Sequence, residues 1–429
     1  GCILPGCYTD SIQDESLIIR HSAALFDLSP FSKYYVRGRE ALAFVNQLCP
    51  RNFTKVKDNH VAYTAWCDPD GKVRQEGTIF RFAEDAYAIY SGEPDLEWFR
   101  QVAAGYDVEI EDRSRAEATL ALQGPYSARI LQSISDIDFA RLPYFGIARG
   151  RIADVPCVVS RTGFTGDLGY EIWLAASSAV RVWDAILATG RYVDARPCGL
   201  LALDIARVEA GFILANGTYP STLIMGELMV RGDFCRSTAA IVDEQKVSPY
   251  EIGMGWSVDL SKADFIGRPA LAEDQRLGVK RQFVGIEIDR DAYEQLYAGS
   301  GLQPDYPPRV AQWVVPLYAL HGGRQIGHIT SRVWSPYLGK YIALGFVETK
   351  WATPGTPAEM ECTVMYERRR TPCWVAETPF FPSDRMRSAY PLDVAAPLLF
   401  MKQELALGEM VGGVAFLPPG RPISAALAG

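Results

Sequence analysis

Two glutamates lie in stretches where a carboxylate could meet something other than water. Glu76 falls in VRQEGTIF (73–80), at the lip of a strand that turns apolar directly after it. Facing into a cleft lined by Tyr63, Trp66 and Phe80, the acid would lose hydration, its pKa would rise, and it could exchange protons near neutrality. At the end of a hairpin in water it would do none of this, and the residues alone leave both readings open. Glu171 ends the stretch TGFTGDLGYEI (162–172), whose glycines Gly163, Gly166 and Gly169 permit positive φ or close approach to a neighbour. The run Glu171-Ile172-Trp173-Leu174 then alternates like a strand edge. Such a stretch is either a shaped loop that delivers one carboxylate or a Gly-rich turn followed by a solvated glutamate.

A buried carboxylate at Glu171 could accept two parallel hydrogen bonds from an N–H/NH₂ pair, as a pterin or guanine edge offers. Trp256, in GMGWSV (253–258), could supply a flat apolar wall or simply fill the core. Gln123, in ALQGP (121–125), could cap the helix that follows or reach a ligand. Arg207 and Glu209 share a helical stretch, where an internal ion pair is the simpler reading. Arg268 and Arg332 are spare cations, available to an anionic tail or to water.

Common alternatives are excluded by what the sequence lacks. Four histidines and nine scattered cysteines give no C-x-x-C pair and no set at zinc-ligand spacing, so no metal site is expected and the thiols should be mostly reduced and buried. No G-x-S-x-G, P-loop or strand-borne G-x-G-x-x-G is present. The 429 residues are 48% hydrophobic and 22% charged, ordinary globular material for two or three domains. A net charge of −8 without a basic run argues against nucleic acid or an anionic membrane surface as partner. No apolar run is long enough to span a bilayer, and the first residues do not resemble a signal peptide, so a cytoplasmic location is expected. Because the first residue is Gly rather than Met, a segment upstream of residue 1 is also expected.

The carboxylates need elements to position them. A helical pattern from Leu17 leads to strand-like residues 34–38 and an amphipathic helix near 41–45. The segments 61–67 and 77–82, joined by DPDG (68–71), read as a hairpin. A strand at 86–90 and a helix at 95–104 follow, and strands and helices continue to alternate, which predicts α+β layers. After about Leu271 the pattern becomes strands and turns, predicting a separate all-β domain. Residues 388–429 form an apolar, Pro-containing extension of unassigned role.

Six stretches in order, ALQGPYSA (121–128), SRTGFTGDLGYEI (160–172), CGLLALDIARVEAG (198–211), SPYEIGMGWSV (248–258), DFIGRPAL (264–271) and GHITSRVWSPYLGKYIALGFV (327–347), resemble the tetrahydrofolate-dependent aminomethyltransferases, the T-proteins of glycine cleavage. The resemblance runs from about Ile18 to Pro382. It implies a three-domain cloverleaf: a folate-binding α+β region of two interleaved domains over 1–271, a β-barrel over 272–387, and the extension 388–429. It also implies tetrahydrofolate as cofactor, Glu171 as the pterin-reading acid, and Gln123, Tyr87, Ile89 and Trp256 as lining of the same pocket. Glu76 matches the second of the family's paired aspartates, whose acid assists one-carbon transfer.

This sequence departs from the pattern on the donor side. The first aspartate of the pair is Gln75, the arginine of an A-R-D triplet is Leu203, and the usual Ser-His-Met reads Ser29-Pro30-Phe31. The segment between Gly211 and Ser248 is longer than in T-proteins, as in branches resembling aromatic O-demethylases. The expectation is therefore a transferase that moves a methyl or methylene group from a small, mostly apolar, aromatic ether (methoxy or methylenedioxy) to N5 of tetrahydrofolate, with Glu76 catalytic and Phe31 and Leu203 against the donor. Glycine-cleavage aminomethyl transfer, a dimethylsulfoniopropionate-type demethylase and a non-catalytic folate-binding module are the alternatives. The donor's identity, methyl against methylene transfer, and the oligomeric state are not fixed by the sequence.

Overall fold

One of the departures of strand order from chain order, the separation of β1 from β7, sets the first sheet beside the second and builds the site. The computed structural model describes residues 4–223, 246–307, 310, 314–321 and 323–388. After helix α1 (Ile12–His21), strand β1 (Ala24–Asp27) starts a sheet that the chain leaves and rejoins about ninety residues later. In between, β2 (Ser32–Arg37), β3 (His60–Cys67), β4 (Val73–Ala83), β5 (Ala86–Ser91) and β6 (Glu109–Asp112) form a five-stranded sheet in the order β3-β4-β5-β2-β6. Helices α2 (Ala41–Leu48) and α3 (Leu96–Ala103) cover one face of it.

The chain then completes the second sheet with β7 (Glu117–Gln123), β8 (Ile147–Ile152), β9 (Val155–Ser160), β10 (Gly169–Ala175) and the short β11 (Arg196–Pro197), in the order β11-β1-β7-β10-β9-β8. Helices α4 (Ser127–Ser133) and α5 (Ala179–Gly190) close its outer face over Leu122, Tyr170 and Ile172. The run that alternates like a strand edge is in fact central, paired on both sides by β7 and β9.

Strands β12 (Arg281–Ile288), β13 (Val315–Ala319), β14 (Gln325–Ser335), β15 (Lys340–Glu348), β16 (Pro357–Val364) and β17 (Glu367–Ala376) close into an antiparallel barrel. Helix α6 (Leu200–Glu209) joins barrel to sheet. Its residues Ala202, Leu203 and Ala206 face β1 and β7, while Ile205 and Val208 pack on barrel residues Val333, Ile342 and Leu344. Apolar residues on two faces suit a helix buried between layers. The resulting α+β architecture with two sheets and a closed barrel is the one expected from the sequence. Val230–Phe234 and all but the first residue of the 388–429 extension lie outside the described residues.

Candidate active site

The period of two along a strand decides which residues face the space between the sheets. Across the second sheet, the register places Phe26, Ala121, Glu171 and Ser160 in one row. Glu171 is buried, and burial raises its pKa above the ordinary carboxylate range. The Thr162 hydroxyl donates to Glu171 Oε2 at 2.5 Å and lies 2.6 Å from Ser160 Oγ, while Trp173 Nε1 donates to the same serine at 3.4 Å. No hydrogen bond from a described residue reaches Oε1.

The loop before β10 owes its glycines to two causes. Gly166 has φ +71°, which a side chain would strain, and a Cβ there would stand 2.6 Å from that of Ala210. Gly163 and Gly169 instead make room for the Gln123 amide, which a Cβ at either position would overlap. Gln123 donates through Nε2 to the Thr162 carbonyl at 3.2 Å and the Tyr170 carbonyl at 3.5 Å, and its Oε1 accepts from the Thr165 hydroxyl at 3.0 Å. Its amide is spent on the loop. Gln123 therefore shapes the segment that presents Glu171 rather than offering a free amide of its own.

On the first sheet, Glu76 pairs across from Ala65, and Thr78 from Tyr63 and Tyr90. Phe80, Tyr90 and Trp173 pack together, and the Tyr90 and Trp173 rings stack at 3.8 Å across the gap between sheets. Glu76 is partly buried as a residue, but its Oε2 is sealed from solvent and has no hydrogen-bond partner among the described residues. Its Oε1 accepts from the Ala215 N–H at 3.0 Å. Burial, only partly offset by that bond and by the Arg207 charge, pushes its pKa up to about 7. Tyr63 is close enough for the Glu76 charge to raise its phenol further.

The chain after α6 ties the two carboxylates' surroundings together. Phe212 stacks on Phe164 of the glycine loop at 5.8 Å, and three residues later Ala215 meets Glu76. Beside this link, Phe31, Phe164 and Leu200 pack on Phe26, Leu28, Ala121 and Leu203 in one apolar cluster. Phe31 is fixed there by Lys33, whose buried ammonium donates to the carbonyls of Ser29 at 2.7 Å and Phe31 at 2.8 Å. One wall is thus acidic and one apolar.

Residues 3–222 match the GCVT N-terminal domain and residues 281–382 the glycine cleavage T-protein C-terminal barrel domain. The chain belongs to the glycine cleavage T-protein family. The aminomethyltransferase of Moorella thermoacetica is 32% identical over 386 residues, 89% of this chain and 92% of that protein. The aminomethyltransferases of Clostridium botulinum (strain Loch Maree) and of Desulfitobacterium hafniense are 34% and 31% identical over 79% and 83% of this chain, and over 81% and 86% of their own lengths. The glycine cleavage system aminomethyltransferase T of Bartonella henselae has the same fold, with TM-score 0.72 and 21% identity over 90% of this chain and 94% of its own. Membership makes this a folate-dependent transferase, with tetrahydrofolate as its cofactor.

Within this T-protein fold, several expected residues take other places. Tyr87 and Ile89 lie in the core under α2 and α3, so the same strand turns Ala88 and Tyr90 toward the second sheet. Trp66 also faces the α2 and α3 side, where its Nε1 donates to Asp95 at 3.0 Å. Gln75 is buried beside it in β4, on the face opposite Glu76. Trp256 is not core: it is 63% exposed, with the Arg51 guanidinium 5.2 Å from its ring centroid. Arg207 pairs with Asp204 at 2.5 Å, and Glu209 with Arg20 at 2.6 Å, not with each other. Arg268 donates to the carbonyls of Lys262 and Leu260. Arg332 sits over Tyr293 in the barrel, 5.8 Å from its ring centroid.

Sequence reasoning missed Thr162, Ser160, Lys33 and the Ala215 N–H. For the first two a signal existed, since two hydroxyls precede the glycine loop. Ala215 offers only a backbone group, which leaves no mark in a sequence.

Proposed function

We propose that this T-protein family member moves a methyl or methylene group from a small, apolar, aromatic ether to N5 of tetrahydrofolate. The observation that carries the reading is the apolar cluster in which Phe31 and Leu203 pack with Phe26, Leu28 and Phe164, beside the row that contains Glu171. Neither position retains a group that could bind a charged donor, and an aryl ether would replace water there at a gain of about 25 cal/mol per Å² of apolar surface covered.

Three features fit the cofactor. Glu171 Oε1 is open to the N–H edge of a pterin, and Oε2 is held by Thr162. Trp256, backed by Arg51, offers a flat face beside a cation, suited to an aromatic ring that carries carboxylates. The Oε2 of Glu76 has no hydrogen-bond partner among the described residues and is available to a ligand group. When bound, tetrahydrofolate supplies a secondary amine that accepts the one-carbon unit.

The residues' own part is proton management and exclusion of water. With its pKa pushed up to about 7, Glu76 can hold a proton near neutrality, best placed on Oε2 because Oε1 already accepts from Ala215. That proton passes to the ether oxygen as its bond to carbon breaks, so a neutral phenol leaves instead of a phenolate, and the Glu76 carboxylate left behind would take up the proton released by the alkylated amine. The stacked, buried Tyr90 and Trp173 fill adjoining space between the sheets.

The test is to incubate the protein with tetrahydrofolate and a panel of methoxy- and methylenedioxy-aromatics, and to detect methyl- or methylene-tetrahydrofolate together with the phenol by mass. Formation of both supports the reading; a one-carbon folate formed only with an aminomethylated carrier would replace it with aminomethyl transfer. That second reading is favoured by the shared name of the relatives at 31–34% identity. In either case the donor is proposed to be a small group rather than nucleic acid or lipid, with the reaction in the cytoplasm, in keeping with the net charge of −8.

A further inference from the structure

A surface cavity of about 360 Å³ is lined by Arg20, His21, Pro125, Tyr126, Arg129 and Arg385. No acidic side chain lines it. Arg20 and Arg385 already have partners. Arg20 pairs with Glu209 at 2.6 Å and donates to the Thr165 carbonyl at 2.8 Å, while Arg385 grips Asp167 with two hydrogen bonds of 2.9 and 2.7 Å. Asp167 and Glu209 therefore balance two of the three guanidinium charges.

Arg129 is the surplus. It is half-buried and forms no ion pair among the described residues, and its Nε is sealed from solvent without a hydrogen-bond partner. Its guanidinium lies 5.4 Å from the Tyr126 ring centroid, a contact that does not offset its charge. A buried guanidinium N–H with no acceptor is costly unless an anion completes it. The planar fork of arginine matches the oxygens of a phosphate. Arg385 is 42% exposed along its side chain, so the cavity has a second accessible cation.

We infer that this cavity binds the phosphate group of a small molecule, with Arg129 as its principal charge partner and Arg385 at its rim. The site meets the glycine loop through Thr165 and Asp167, whereas Glu171 meets that loop through Thr162. It is separate from the folate-side chemistry and does not depend on the donor proposed above.

Inorganic phosphate is the probe, titrated by calorimetry at low salt into the full chain and into Arg129→Gln. Wild type should bind phosphate, and the substitution should weaken binding about tenfold or more, the scale of one lost charge-assisted contact. Arg129→Lys, which keeps the charge but not the fork, should fall between the two and guards against misfolding of the glutamine variant. No heat from wild type up to about 10 mM phosphate would overturn the site. So would equal binding by wild type and Arg129→Gln, because the anion would then reside elsewhere.

Discussion

Glu76 and Glu171 are the same side chain in two kinds of confinement. Glu171 sits mid-strand in the second sheet, locked by the Thr162 hydroxyl and a loop that Gln123 fills from beneath. Glu76 sits on a hairpin of the first sheet, steadied at one oxygen by a single backbone N–H and, among the described residues, unmatched at the other. A carboxyl with a fixed hydrogen-bond donor and one open oxygen suits recognition, while one that titrates near neutrality and keeps an unpaired oxygen suits proton transfer. Burial raises both pKa values, so what separates the roles is which oxygen atoms are already satisfied.

The sharpest way to break this contrast is Glu76→Gln. It keeps the acceptor for Ala215 but cannot give up a proton as an acid does, so turnover should fall by roughly 10²–10⁴, with tetrahydrofolate affinity changed by less than about threefold. Steady-state kinetics and calorimetry on one preparation would read both, and equal losses would erase the distinction. Glu171→Ala should do the reverse. Removing its charge-assisted hydrogen bonds should raise the folate Kd about 10- to 100-fold while leaving turnover at saturation nearly intact.

Smaller effects sharpen the comparison further. Thr162→Val removes the hydroxyl that orients Glu171, and a rise of a few-fold in folate Kd is expected, with no change in the pH profile of turnover. The last test concerns stability. With its pKa raised to about 7, Glu76 binds a proton more tightly in the folded chain than in the unfolded one, so its contribution is favourable at low pH and is lost as pH rises through about 7. Glu76→Gln should therefore raise Tm relative to wild type at pH 8 and leave it nearly unchanged at pH 5. Scanning calorimetry at the two pH values decides it.

Much of this was legible in the sequence because it depends on local pattern. The hairpin around DPDG, the change to strands and turns toward the barrel, and the glycine loop before Glu171 each follow from turn chemistry and periodicity. Tyr87 and Ile89 show where such reading stops. A strand presents alternate residues to alternate faces, and which set meets the second sheet depends on pairing and bulges, including the register shift between Arg81 and Ala83. Arg207 and Glu209 show a second limit. Two residues apart on a helix, they cannot face each other, and the actual partner of Glu209 is Arg20, 189 positions away in sequence. Trp256 shows a third: its apolar stretch fits either a pocket wall or the core, and only the assembled surface reveals it as exposed.

The amide of Gln123 occupies the space that side chains at Gly163 and Gly169 would need. Seen as mutational history, the three positions are not free to change one at a time. Gly163→Ala or Gly169→Ala alone drives a methyl into a buried, thrice-bonded amide, and Gln123→Ala alone leaves a void and strips the loop of its ties. A library that randomises all three together should recover survivors in combinations, with a larger residue in the loop only where position 123 has shrunk. The route by which this loop can acquire a new ligand therefore passes through paired changes beneath it.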